Sequence, residues 1–293
     1  MFGIELAFNP FMKILIVNFI FILFFSPQTF ADNNNNSRTN SYNVYEVSTK
    51  IGEVLYKAML YAPLRKAKYI LVLSPTIAGI KPNELANAQF FGNHGYAVII
   101  PYPYYTELAN PTPNVQKLDI DYFLPVTVSV TFVELIEQKL QLPNDIPVFA
   151  LGASQGGITT IIIASHYSRI KAAWISVGGG DMPYIYAYSN SEAITKFRIN
   201  HMKYLGLTDQ KIYENFLRAN LIQDPGKSCK NINVPIHQTI ASRDDVVPTK
   251  TQELLVKECP PHEVIRKNLN HSAGIMTNVL MQEEIKEFFE NSI

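Results

Sequence analysis

Charge of one sign, cysteine and an apolar run long enough to cross a bilayer are what this chain has little of, and each shortage excludes a class of function. Lys and Arg number 25 against 25 Asp and Glu in 293 residues, so no net field draws the chain to nucleic acid or to an anionic membrane surface. Two cysteines are too few to build a disulfide scaffold, and packing must hold the protein together. The apolar run at residues 14–25 is twelve long, short of the roughly 20 residues that span a hydrocarbon core. What the chain has is a 47% hydrophobic content, enough to bury a large core.

The short run has a meaning of its own. Lys13 precedes it, and Ser26-Pro27 and Thr29-Phe30-Ala31 follow, which is the order of basic region, apolar region and small-residue cleavage site in an export signal. The expectation is a cleaved signal over residues 1–31, complete also from Met12, then a flexible terminus over 32–42 and a folded domain over 43–293. Cleavage after Ala31 leaves 262 residues. No cysteine follows the run to carry a lipid, so the mature protein is expected to be secreted or periplasmic with no stable membrane anchor.

From residue 43 onward strands and helices alternate. Asn43–Ser48 and Glu53–Tyr61 read as a strand pair around Gly52, and Tyr69–Leu73 and Tyr96–Pro101 as strands buried on both faces of a parallel sheet. Helices are expected at Glu84–Gly92 and Val130–Leu140. The uncharged run Ile146–Leu151 is the next strand, and Gly157–His166 the helix after it. That segment is rich in β-branched residues, yet a crossover is required before the strand at Lys171–Val177. Residues 181–226 interrupt the alternation with two helices, the first behind a Ser189/Glu192 capping box and ending at Gly206, the second capped by Thr208. They suit a lid. A strand at Val234–Ala241, a helix at Lys250–Lys257, a strand at Val264–Leu269 and a final helix bearing Met281, Ile285, Phe288 and Phe289 complete one α/β domain.

The run ending at Leu151 leads into Gly152-Ala153-Ser154-Gln155-Gly156-Gly157. Gly-x-Ser-x-Gly between a buried strand and a helix is the setting for a nucleophile on a strained turn, where only small flanking residues pack. Ser154 is then the candidate nucleophile, and the Gln155 N–H at the helix N-terminus a candidate oxyanion donor. A serine hydroxyl needs a base, and an imidazole base needs a carboxylate to hold its tautomer. Both follow at strand ends. Asp244 lies 90 residues beyond Ser154, and His271 lies 27 beyond Asp244.

The order Ser, Asp, His at three strand ends resembles the α/β-hydrolase superfamily over nearly all of residues 43–293. Ala241 three before Asp244, and Val247-Pro248 after it, match the family pattern and select Asp244 over Asp245, which is left as a solvated loop residue. The loop Ser74–Gly79 is similar to the family's oxyanion loop without its common His-Gly pair. Pro75 has no N–H, so Thr76, or else Ile77, must supply the second donor. Pro75-Thr76 with Gly79 is more similar to the dienelactone-hydrolase branch. The resemblance implies an alternative acid, Asp181, since some members carry the acid after the preceding strand; otherwise Asp181 caps or tethers the lid.

His94, His166, His201, His237 and His262 lack the strand-end position of His271 and read as structural or solvated. Tyr102, Tyr104, Tyr105, Tyr184, Tyr186 and Tyr188 cluster in two segments near the expected site. Cys229 and Cys259 each precede a strand by five residues, which in an exported protein places a disulfide at the sheet edge opposite the site. No metal-ligand cluster and no cofactor motif is present. The expected function is an exported serine hydrolase of the carboxylesterase type acting on a small-molecule ester. Acyl transfer, thioester or peptide cleavage with the same triad, and a hydrolase-like binding protein without catalysis, remain as alternatives; oligomeric state is not legible.

Overall fold

The computed structural model describes residues 26–27, 41–104, 110, 114–259 and 262–293. Strands there are β1 (Ser26–Pro27), β2 (Tyr42–Ile51), β3 (Val54–Pro63), β4 (Tyr69–Ser74), β5 (Tyr96–Pro101), β6 (Val148–Ala153), β7 (Ile170–Ser176), β8 (Ile236–Ala241) and β9 (His262–Lys267). Helices are α1 (Pro82–Asn93), α2 (Val115–Leu140), α3 (Gln155–His166), α4 (Met182–Tyr188), α5 (Glu192–Tyr204), α6 (Gln210–Asn220), α7 (Pro225–Ser228), α8 (Thr249–Glu258), α9 (His271–Leu280) and α10 (Gln282–Glu290). The expected signal over residues 1–31 lies outside the described residues except for β1, whose two backbone positions pair with Glu46 and Tyr45 of β2.

All the strands join one sheet in the order β1-β2-β3-β5-β4-β6-β7-β8-β9. The first pairings, out to β3 against β5, are antiparallel. From β5 across to β9 every pairing is parallel. Parallel strands require crossovers, and the crossovers put helices on both faces. Ile70 and Val72 of β4 point to the face covered by α2, α3 and α8, while Leu71 and Leu73 point to the face covered by α1 and α10. Both sets are fully or almost fully buried, each large side chain contributing about 2 kcal/mol of transfer free energy. Among the described residues no helix is long and apolar enough to cross a membrane.

The β-branched segment after Ser154 is helical, as the crossover argument requires, and residues Gln155 to Ala164 of α3 are all buried. Tertiary context has overridden strand propensity there. Three expectations need correction. The helix expected at Val130–Leu140 begins at Val115, where the Asn114 side chain accepts from the Gln116 and Lys117 N–H groups. Pro125 lies inside it, and the helix continues through that proline, burying Val126, Val128, Ser129 and Phe132. The lid holds four helices, α4 to α7, because Asp181 at φ 57° turns the chain and caps α4 at once. Ser189 ends α4 instead of opening α5, and Asp209, in place of Thr208, caps α6. Finally, the C-terminal helix is divided at Met281 into α9 and α10.

Cys229 and Cys259 form a disulfide with their Cα atoms 5.2 Å apart. They lie ahead of β8 and β9, which are parallel neighbours, at the edge opposite the ends that carry Asp244 and His271.

Candidate active site

Strand β6 ends in a turn that little other than glycine could make. A Cβ on Gly152 would meet the Gly156 carbonyl oxygen at 2.3 Å, and one on Gly156 would meet the Ser74 oxygen at 2.1 Å. The absence of both lets α3 start almost in contact with the β6 backbone and the Ser74-Pro75 loop. Ser154 between them adopts φ 56° and ψ −124°, a strained conformation for a residue with a Cβ. Its N–H donates to the Ser176 carbonyl at 2.9 Å and its carbonyl accepts from Ile158 at 3.1 Å, which holds the strained turn in place. The hydroxyl thus sits at the positive end of α3.

His271 is the first residue of α9 rather than part of the strand-end loop, and Asn270 caps that helix by accepting from the Ala273 N–H at 3.0 Å. The imidazole lies between the other two predicted residues. Its Nε2 is 2.9 Å from Ser154 Oγ and its Nδ1 is 2.8 Å from Asp244 Oδ2. Asp244 Oδ1 accepts from the Val246 and Val247 N–H groups, at 2.9 Å each. Oδ2 accepts in addition from Gln252 Nε2 at 2.9 Å. With the carboxylate wholly buried and four donors around it, its orientation is fixed from every side.

Gln252 is a residue that the sequence reading missed. Its amide spans the acid loop, donating also to the Val247 carbonyl at 2.7 Å and accepting from the Ala241 N–H at 3.1 Å. Glu84 is a second. Buried at the start of α1, it accepts from the Thr76 N–H at 3.3 Å and from the Lys81 N–H at 2.9 Å. The Thr76 N–H, expected as an oxyanion donor, is therefore directed at a carboxylate. Gln155, as the first residue of α3, has a backbone N–H with no acceptor inside the helix.

Asp181 lies apart from His271. Its carboxylate accepts from the Tyr184 N–H at 3.3 Å and pairs with Arg218 at 2.9 Å, which ties α4 to α6. Asp245 is an exposed loop residue, as expected, and its carbonyl and carboxylate accept from the Asn190 backbone and side chain at 2.9 and 3.2 Å. Beside that latch, Ser189 Oγ donates to the Val246 carbonyl at 2.6 Å. The lid is thus fastened to the loop that carries Asp244, and Ser154 is left only 5% exposed.

Of the tyrosines, Tyr102 and Tyr104 line a cavity of about 30 Å³ with Pro75, Pro125 and Thr159. Tyr186 is buried in a phenol pair with Tyr122 at 2.6 Å, and burial pushes its hydroxyl well above the ordinary value. Tyr184 carries the Lys250 ammonium over its ring at 3.0 Å, and Tyr105 lies outside the described residues. Four other histidines whose side chains are described serve the scaffold. His94 and His166 bond backbone carbonyls at 2.8 and 2.9 Å, and His237 stacks on Trp174. His201 is buried in the lid, 3.1 Å from the Tyr213 hydroxyl, and burial lowers its pKa to about 4.

Solved structures share this architecture. An acetyl xylan esterase from Paenibacillus sp. R4 superposes with a TM-score of 0.67 at 14% identity, over 93% of this chain and 88% of that one. The chain has the α/β-hydrolase fold. An acylaminoacyl peptidase from Pyrococcus horikoshii matches this α/β-hydrolase fold at 0.63 and 13% identity, over 86% of this chain but 42% of the peptidase. A cold-adapted esterase from an Arctic intertidal metagenomic library matches at 0.56 and 11%, over 86% and 96%. No protein-family model matches the sequence, and no curated protein matches it.

Proposed function

We propose that the protein is an exported serine hydrolase that cleaves small carboxylic esters through an acyl-enzyme, with Ser154 as nucleophile, His271 as base and Asp244 as its orienting acid. The observation that carries the reading is the pair of hydrogen bonds, 2.9 Å from Ser154 to His271 and 2.8 Å from His271 to Asp244. In this reading Ser154 Oγ attacks the ester carbonyl carbon as its proton passes to His271 Nε2. Asp244 holds Nδ1–H and stabilises the imidazolium that forms. The proton then goes to the leaving alkoxide, and a water, deprotonated by the same nitrogen, releases the acid and restores Ser154.

The Gln155 N–H is one oxyanion donor. The second comes from the Ser74–Gly79 loop, by exchange of the Thr76 N–H from Glu84 to the oxyanion or from the Ile77 N–H. Such a donor stabilises the transition state by about 3 kcal/mol, so Glu84 competes for a group of consequence. Export is supported by the signal-like order of residues 1–31 and by the Cys229–Cys259 bridge. Esterases stand among the fold neighbours, which supports the ester reading.

Two measurements test this. Ser154→Ala is expected to lower turnover of p-nitrophenyl acetate by about 10⁴-fold or more with an unchanged circular dichroism spectrum, and undiminished turnover would overturn the assignment. A fluorophosphonate probe is expected to label Ser154 in the folded protein; no label would instead favour a binding protein without catalysis.

A further inference from the structure

Capping α1 asks for one oxygen of Glu84, and the structure uses both. As the third residue of that helix it accepts from the Lys81 N–H through Oε2 at 2.9 Å, the reciprocal half of a helix cap. Oε1 instead accepts from the Thr76 N–H at 3.3 Å, in the loop after β4. The residue is only 5% exposed, and among the described residues no Lys or Arg side chain pairs with it. A carboxylate buried without a cation is costly, whereas a helix cap works as well at the surface. The burial is a requirement of the loop, not of the helix.

Inside that loop Thr76 has no polar group to spare. Its carbonyl accepts from the Gly79 N–H at 2.9 Å and its hydroxyl donates to the Gly79 carbonyl at 3.5 Å, while its N–H is on Glu84. Moving that N–H to an oxyanion would leave Oε1 buried with no donor. The next residue is placed differently. Among the described residues the Ile77 N–H has no acceptor, and Ile77 lines a cavity of about 30 Å³ together with Ser154 and Gln155. The loop backbone runs against the start of α3, since a Cβ on Gly156 would meet the Ser74 and Pro75 oxygens at 2.1 and 2.9 Å. We infer that Glu84 is a positioning residue for ester cleavage: it holds Thr76 turned towards α1, and so commits the loop to the Ile77 N–H as the second oxyanion donor. The inference rests on the serine hydrolase reading of Ser154. Glu84 touches no substrate in it and acts only through the shape of the loop.

The sign of one substitution decides the matter. If Glu84 merely withheld the Thr76 N–H from the oxyanion, removing the carboxylate would speed turnover; if it shapes the loop, removal slows it. Glu84→Ala is expected to lower kcat on p-nitrophenyl acetate about 100-fold, the scale of one lost oxyanion donor, with KM within about twofold. Glu84→Gln keeps the size but offers only one acceptor oxygen to the two N–H groups, and is expected to lose about tenfold. A transition-state mimic separates positioning from stability. With 1,1,1-trifluoroacetone, Ser154 Oγ bonds the ketone carbon, its proton passes to His271, and the carbonyl electron pair becomes an oxyanion in the same hole. Its Ki is expected to rise in each variant by the factor that kcat/KM falls, whereas a purely structural role would lower the urea midpoint and leave both constants of the folded protein unchanged. In an Ile77→Pro background, which lacks the Ile77 N–H, Glu84→Ala is expected to add little further loss. A kcat at or above the native value in either Glu84 variant, a fall in kcat without the parallel rise in Ki, or a full second loss in the Ile77→Pro background overturns the inference. Should Glu84→Ala or Ile77→Pro fail to fold, Glu84→Gln decides by its kcat and Ki. Absence of fluorophosphonate labelling at Ser154 in the native protein would strike the hydrolase reading itself, whereas labelling with undiminished kcat in Glu84→Gln would strike only the role of Glu84.

Discussion

The floor of the site and the lid above it are held by different physics. Ser154, Asp244 and His271 stand on strand ends and helix starts whose backbones are packed against the sheet, and the contacts there are short, buried and mutually dependent. The lid, α4 to α7, is held by the Arg218 bridge from Asp181 to Glu214, by Asp224 accepting from the Asp181 and Met182 N–H groups, and by Asn190 on Asp245. At the floor, the turn around Ser154 leaves no room for a side chain at Gly152 or Gly156. The lid is fastened by polar contacts, several of them near solvent, where each is worth little. Under the proposed function, that division would let substrate reach the nearly covered Ser154 without loosening Asp244 or His271.

The comparison can be broken first at the floor. Gly156→Ala forces a Cβ into the Ser74 carbonyl, where 2.1 Å is available, and is expected to cost about 3 kcal/mol of stability, read as a lowered midpoint in urea, with activity falling alongside. The lid is to be broken by acid. His201 is held neutral by burial, its pKa falling from 6.5 to about 4, so between those values the unfolded lid binds more protons than the folded one. Stability is therefore complete above pH 6.5, falls as pH drops to about 4, and loses up to about 3 kcal/mol. Protection factors of α5 and α6 amides, corrected for the intrinsic exchange rate at each pH, are expected to fall over that window, and His201→Phe to flatten the dependence, while those of α3 hold.

Smaller effects sharpen the contrast. Gln252→Leu removes one donor from Asp244, and a 10- to 100-fold fall in kcat with little change in KM is expected, since the imidazole loses orientation and not substrate contact. Asn190→Ala unfastens the lid from Asp245. It should cost at most about 1 kcal/mol while raising the relative rate on p-nitrophenyl hexanoate over acetate; an unchanged acyl-length profile would show that this latch does not govern access.

How much of this was legible follows the same division. The Gly152–Gly157 turn could be read because its strain demands glycine at fixed offsets, and Asp244 could be told from Asp245 by Ala241 and Val247-Pro248. Gln252 could not, since it meets Asp244 eight residues away through tertiary packing; Glu84 has a local signal as the third residue of α1, accepting from the Lys81 N–H, but nothing local announces its bond to Thr76. The first half of α2 was not read; it runs through Pro125, where the local rule argues against a helix. In the lid, Ser189 and Thr208 look like caps, but α5 starts behind Ser191 and α6 behind Asp209, and nothing short of the packed structure decides between such neighbouring candidates.

The Cys229–Cys259 bridge has a topological effect besides its energetic one. It closes a covalent ring that contains β8, Asp244, Gln252 and all of α8, while Ser154 lies before the ring and His271 after it. A single break of the backbone inside that circle opens it without detaching either portion from the sheet. In the oxidising surroundings proposed for this protein, the segment bearing the acid can be nicked without being shed.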